Sequence, residues 1–345
     1  MGTQLRNLEA SGAGQKYKGP IWTLLILAPM IAEVLSGSTR TSILFVLIPE
    51  VMVWGVGALV ARDLVRRWKG GSLSLLLLGL ALSVGEEFII QQTSIAPLPF
   101  PGAHADYGRI AGINLVYLLF MLGYESVWVV VVPVQVSELI FPQCREGAWL
   151  RRKGWIGCTI AFLIGSRIAW YGWTQQARPR LGAAPYHPPA GMIVGGMAAI
   201  VLLIALAYAL RNSGHPSAAG RTVPAWVAGI VAFGMGAAWF ELIGQVFVPN
   251  PMAFQKATGA GIGWGVIALL LFSWWSGRQA WSDVHRFCAC WGATLACQSM
   301  PYYTIRTWTT VDVVGKVVFD ALALAMFIWL GRRVLQRDEA VKSFA

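Results

Sequence analysis

Seven acidic residues stand inside long apolar runs of this chain: Glu33, Glu50, Glu86, Glu87, Glu125, Glu241 and Asp320. One arginine, Arg167, stands in such a run too. A charged side chain at the centre of a membrane costs about 2.5–3.5 kcal/mol on insertion scales. A set of this size therefore has to face inward. Carboxylates held that way can carry protons, bind a cation or act as general bases.

The densest stretch is SVGEEFIIQQT, Ser83 to Thr93. Ser83, Glu87 and Gln91 recur every four residues, which on an α-helix puts them on one face and turns Glu86 about 100° away. The expectation is a polar chamber lined by Glu87, Gln91, Glu50, Glu125, Glu241 and Gln245. Arg167 is expected to pair with an acid across the bundle, and Glu86 to bond a neighbouring helix. Glu241 and Gln245 repeat the E-x-x-x-Q spacing of Glu87 and Gln91, the pattern of a weak parallel internal repeat with segments 2–5 echoed by 6–9.

The elements that position these residues follow from composition. Of 345 residues, 56% are hydrophobic and 12% charged, with mean hydropathy +0.59. Soluble domains carry roughly 25% charge. The class is an all-α integral membrane protein. Runs long enough to span, about 20 apolar residues each, fall at 21–38, 42–61, 72–93, 111–141, 155–174, 190–210, 224–248, 260–277, 287–304 and 312–331. The fourth carries Pro133, which calls for a tilt, a kink or an interfacial continuation. The chain divides into a cytoplasmic tail at 1–20, a membrane domain at 21–334 and a cytoplasmic tail at 335–345.

The net charge of +11 is spread between the apolar runs, not gathered into one patch. That distribution argues against nucleic acid and for orientation in a bilayer. Most Lys and Arg fall in alternate loops, such as Arg62, Arg66, Arg67 and Lys69, or Arg145, Arg151, Arg152 and Lys153. Both termini are then expected on the cytoplasmic side of a cell inner membrane, with Glu33, Glu86, Glu87, Glu241 and Asp320 in the outer half of their spans and Glu50 and Glu125 near the middle. The bilayer is the expected partner, with protons or a cation at the acids and other membrane subunits as further partners.

No cofactor follows from the sequence. The five cysteines lack C-x-x-C spacing with partner histidines. There is no Walker loop, no H-E-x-x-H, and no G-x-G-x-x-G between strand and helix.

Glu86-Glu87-x-x-x-Gln91 resembles the first motif of the CPBP family, the Abi or CAAX-protease-like intramembrane proteins. The resemblance implies intramembrane peptide hydrolysis with Glu86 or Glu87 as general base. The family's histidine motifs are absent: Phe120 is followed at the fourth position by Tyr124, with Glu125 beside it, and His285 by Ala289. Three functions are thus open. The first is transport or binding of a small solute or cation with proton coupling. The second is a CPBP-like protease, active or degenerate, and the third a non-catalytic subunit of a membrane complex.

Overall fold

The structure is a computed structural model. It describes residues 17–100, 102–184, 186–213 and 219–343, of which 341–343 as backbone only. Most of the N-terminal tail and the last two residues of the C-terminal tail lie outside the described residues.

Each apolar run lies on a helix. We number the segments α1 (Lys18–Pro29), α2 (Thr41–Trp68), α3 (Ser72–Ile90), α4 (Leu115–Ile140) and α5 (Arg152–Trp170). Then follow α6 (Ala190–Ala209), α7 (Ala225–Phe247), α8 (Phe254–Ser276), α9 (Asp283–Ser299) and α10 (Thr310–Ser343). Seven of them are long and apolar enough to cross a membrane. α1, α5 and α9 fall outside that set. α10 runs unbroken through the segment read from sequence as the start of a C-terminal tail.

The bundle has an inside and a rim. In the most apolar stretch of α3 and of α4, 56% of residues are buried, against 11% in α6 and in α8. α3 packs on α4, α1 on α2, and α7 on α9. Small residues set these crossings. A Cβ on Gly79 of α3 would stand 2.9 Å from Ser126 Cα of α4, and one on Gly292 of α9 would collide with the Gly229 carbonyl of α7.

The chain between α3 and α4 was read from sequence as loop running into a span from 111. It contains the strands β1 (Arg109–Ile110) and β2 (Ile113–Asn114), paired antiparallel with Arg109 opposite Asn114. Ala111 (φ 49°) and Gly112 (φ 83°) form the two-residue turn that such a hairpin needs. α4 starts later than the apolar run because buried Asn114 caps it, its side chain accepting from Tyr117 N at 2.9 Å.

The opposite end is closed by ions. Buried Glu138 at the end of α4 accepts from Arg66 at 2.7 Å, from Arg62 at 3.2 Å and from Arg286 of α9 at 3.1 Å. Arg62 also lies over the Trp149 ring at 3.7 Å. Its other donors reach the carbonyls of Cys144, Arg145 and Gly147.

Candidate functional site

Glu50, Glu86, Glu87 and Glu125 are at most 2% exposed, and they come from three helices. Glu33, in the helical turn after α1, joins them from a less covered position. The five are close enough to act on one another electrostatically. Glu33 acts on Glu50, Glu86 and Glu125; Glu86 on Glu50, Glu87 and Glu125; and Glu125 on Glu87.

One local device recurs at every member. Glu33 lies in the π-helical turn Met30–Val34, and Glu50 directly precedes the π turn Val51–Gly55. Glu86 and Glu87 open the π turn Glu86–Ile90, and Glu125 opens Glu125–Val131. A π turn closes i→i+5 hydrogen bonds, so it inserts a residue into the α register and re-aims the side chains around it. On α4 the widened turn lies just ahead of Pro133, whose ring cannot sit against an ordinary preceding turn.

The polar partners are few. Thr39 Oγ1 donates to Glu50 Oε1, and Ser94 Oγ to Glu87 Oε2 at 2.5 Å. Gln91 lies beside Glu86 and Ser83 beside Glu125, without closing a hydrogen bond of ordinary geometry. Among the described residues, six buried carboxylate oxygens thus have no protein partner: both of Glu86, both of Glu125, Glu50 Oε2 and Glu87 Oε1. Tyr117 and Tyr124 of α4 face the same space, the Tyr124 hydroxyl donating to the Ala32 carbonyl.

Lys316 of α10 is a buried cation held apart from these carboxylates. Its Nζ donates to the carbonyls of Leu35 and Gln298, each at 3.0 Å, and to Asp320. Asp320 also accepts from Tyr302 at 2.7 Å. Among the described residues, no three His, Cys, Asp or Glu side chains converge as a metal site would require.

The structure brings some of the residues singled out from the sequence together and keeps others apart. Glu87 and Glu125 act on each other, Glu50 joins them through Glu33 and Glu86, and Gln91 lies beside Glu86. The α-helical face argument fails locally, however. Gln91 N bonds the Glu86 carbonyl at 2.9 Å, an i→i+5 step, so Gln91 follows Glu86 and not Glu87. Glu86 accordingly bonds no neighbouring helix through its carboxylate; it faces the cluster.

Among the described residues, Arg167 forms no ion pair. It is exposed, with its guanidinium over the rings of Trp170 at 4.4 Å and Tyr171 at 5.7 Å. α5 meets α2 through Gly165, and Arg167 lies on another side of that contact. Glu241 is exposed on α7, and the Gln245 side chain accepts from Met252 N at 3.0 Å. Both line a separate cleft of ≈ 240 Å³ with Trp239, Met252 and Trp264. The E-x-x-x-Q match therefore does not supply a second half of the acid cluster.

Sequence reasoning missed Thr39, Ser94 and Lys316. Thr39 and Ser94 are loop hydroxyls that carry no pattern of their own, and Lys316 lies at the start of the run 312–331, where it reads as a charge at the membrane edge.

The long apolar helices mark the chain as a multi-pass membrane protein, and the acid cluster is its distinguishing feature. No family profile, no curated protein and no solved structure matches it.

Proposed function

We propose that this protein spans a cell inner membrane ten times with both termini cytoplasmic. Its acid cluster takes up and releases protons, coupled to the binding or transport of a small solute or cation. The observation that carries the reading is the set of six buried, unpartnered carboxylate oxygens on Glu50, Glu86, Glu87 and Glu125. Four ionised carboxylates left unpaired inside a membrane would cost about 10 kcal/mol or more on insertion scales. Protons or a bound cation remove that cost. A proton needs no convergence of three ligands, which suits the observed spread of the side chains.

The outward-facing assignment rests on the bias of Lys and Arg toward the end that holds Arg62, Arg66 and Arg145. The acids lie toward the opposite end, beneath the loops that carry His104 and Met252. Purified protein in liposomes loaded with a pH-sensitive dye tests the reading. Under an imposed potential, wild type acidifies or alkalinises the lumen faster than protein-free liposomes do, and Glu86→Gln and Glu125→Gln slow it. Equal rates for wild type and both variants would refute proton movement.

A CPBP-like hydrolase is the second reading. It draws support from the meeting of the Glu86-Glu87 segment with Tyr124-Glu125, where the resemblance would put a histidine. Against it, His104 bonds a loop carbonyl, His285 caps α9 at the other end, and His187 is exposed in a loop. Cleavage of a lipidated peptide by wild type but not by Glu87→Gln would favour it over transport.

A further inference from the structure

Above the acid cluster the chain makes a buried excursion. Gln92 takes a left-handed backbone (φ 61°), and Thr93, Ser94, Ile95 and Ala96 then run almost wholly buried. Two arginines pin this segment through main-chain carbonyls. Arg109 Nη2 donates to Ile95 O at 2.6 Å, and Arg178 Nη1 donates to Pro97 O at 2.9 Å. Arg109 comes from β1, and Arg178 follows the π turn Tyr171–Ala177 that extends α5.

These two guanidiniums, one buried and one half-buried, lack an acidic partner among the described residues. Arg178 is only 2% exposed. Among the described residues, the ion pairs include neither Arg109 nor Arg178. Each keeps a buried N–H donor without a partner, Nη1 on Arg109 and Nε on Arg178. The indole Nε1 of Trp173, on the π turn leading into Arg178, is buried and unpartnered as well. The carbonyls that the arginines hold are close together on one short segment, so two like charges are brought near each other and act on one another. Buried charge without a counter-charge is costly, and two like charges side by side more so.

The geometry points to a binding site for a phosphate-type oxyanion between Arg109 and Arg178, at the end of the bundle where the acid cluster lies. An oxyanion there neutralises the pair and accepts from the orphaned donors. The planar guanidinium fork suits phosphate oxygens better than a lysine would. The wall beside the site is aromatic: Phe100 packs on Trp173 at 5.8 Å and on Phe247 at 6.2 Å. The phosphate of a phospholipid headgroup and free phosphate share this chemistry.

The test uses the full chain in detergent, stripped of lipid, with exposed Arg180→Gln as the control. Thermal stability is followed against inorganic phosphate at matched ionic strength, and phosphorus retained from added phosphatidylglycerol vesicles is counted after re-purification. Wild type and Arg180→Gln should bind one of the two probes saturably, and Arg109→Gln about tenfold more weakly, the loss of one charged hydrogen bond. A response to inorganic phosphate assigns a free anion; retained phospholipid without that response assigns a headgroup. Arg109→Gln is chosen because Arg109 is only half-buried whereas Arg178 is buried, so its replacement disturbs the fold less. The proposal is overturned if neither probe binds wild type saturably, or if Arg109→Gln binds as wild type does.

Discussion

Ser94 donates its hydroxyl to Glu87 at 2.5 Å, and so ties the buried segment that covers the acid cluster to one of its carboxylates. The same segment receives the Asn114 N–H at the Ser94 carbonyl, at 2.8 Å. The cover and the cluster are therefore one structural unit. Replacing Ser94 by Ala strands a second oxygen of Glu87, at a cost of about 1–3 kcal/mol. Ser94→Ala should melt earlier than wild type in detergent. Glu87→Gln should melt close to wild type, because its amide oxygen still accepts from Ser94. Equal melting of Ser94→Ala and wild type would show that the bond carries no stability.

The ionic closure at the other end makes a larger prediction. Removing the Glu138 carboxylate leaves Arg62 buried without its ion-pair partner, and breaking such a pair costs about 3–5 kcal/mol. Glu138→Ala should therefore be among the most destabilising single changes, read as a drop in melting temperature or in folded yield. Arg167→Leu should leave both unchanged, since Arg167 is exposed over Trp170.

A pH effect follows from Asp283, at the start of α9 and outside its apolar stretch. Burial pushes its carboxyl up, but Arg145 at 2.6 Å and Arg286 at 3.3 Å outweigh burial and hold it below the usual carboxylate range. A carboxyl depressed in the folded state adds stability above its unfolded value, and that stability is lost as pH falls through the folded value. The loss should set in below about pH 4. Asp283→Asn should lower the melting temperature at neutral pH and flatten its fall in acid; the check is a melting series from neutral to strongly acidic buffer. An unchanged slope in acid would remove Asp283 from the account.

The helical membrane class was legible because 12% charge in so long a chain leaves no other packed state. That acids in apolar runs such as Glu50, Glu87 and Glu125 tend to be drawn inward was legible from the cost of charge in a bilayer, although Glu241 shows that the rule does not fix each residue. Which side a given residue faces was not. Glu86 and Gln91 come together through a π turn, and nothing in residue spacing announces an inserted residue. Glu241 and Arg167 sit in apolar runs as much as Glu125 does. They face outward because α7 and α5 use Gly229 and Gly165 for packing, a choice made between helices. The burial of Lys316 and Arg178 was not legible because burial of a cation near a helix end depends on carbonyls supplied from elsewhere in the chain.

Infrared difference spectroscopy of the protein in membranes, with Glu86→Gln, Glu125→Gln and the double variant beside wild type, tests the central claim most directly: that the acid cluster holds protons it can exchange. The account predicts a protonated-carboxyl C=O band at neutral pH that shifts in heavy water, weakens in each single variant and weakens further in the double. Absence of that band from wild type, or the same band in the double variant, would contradict it.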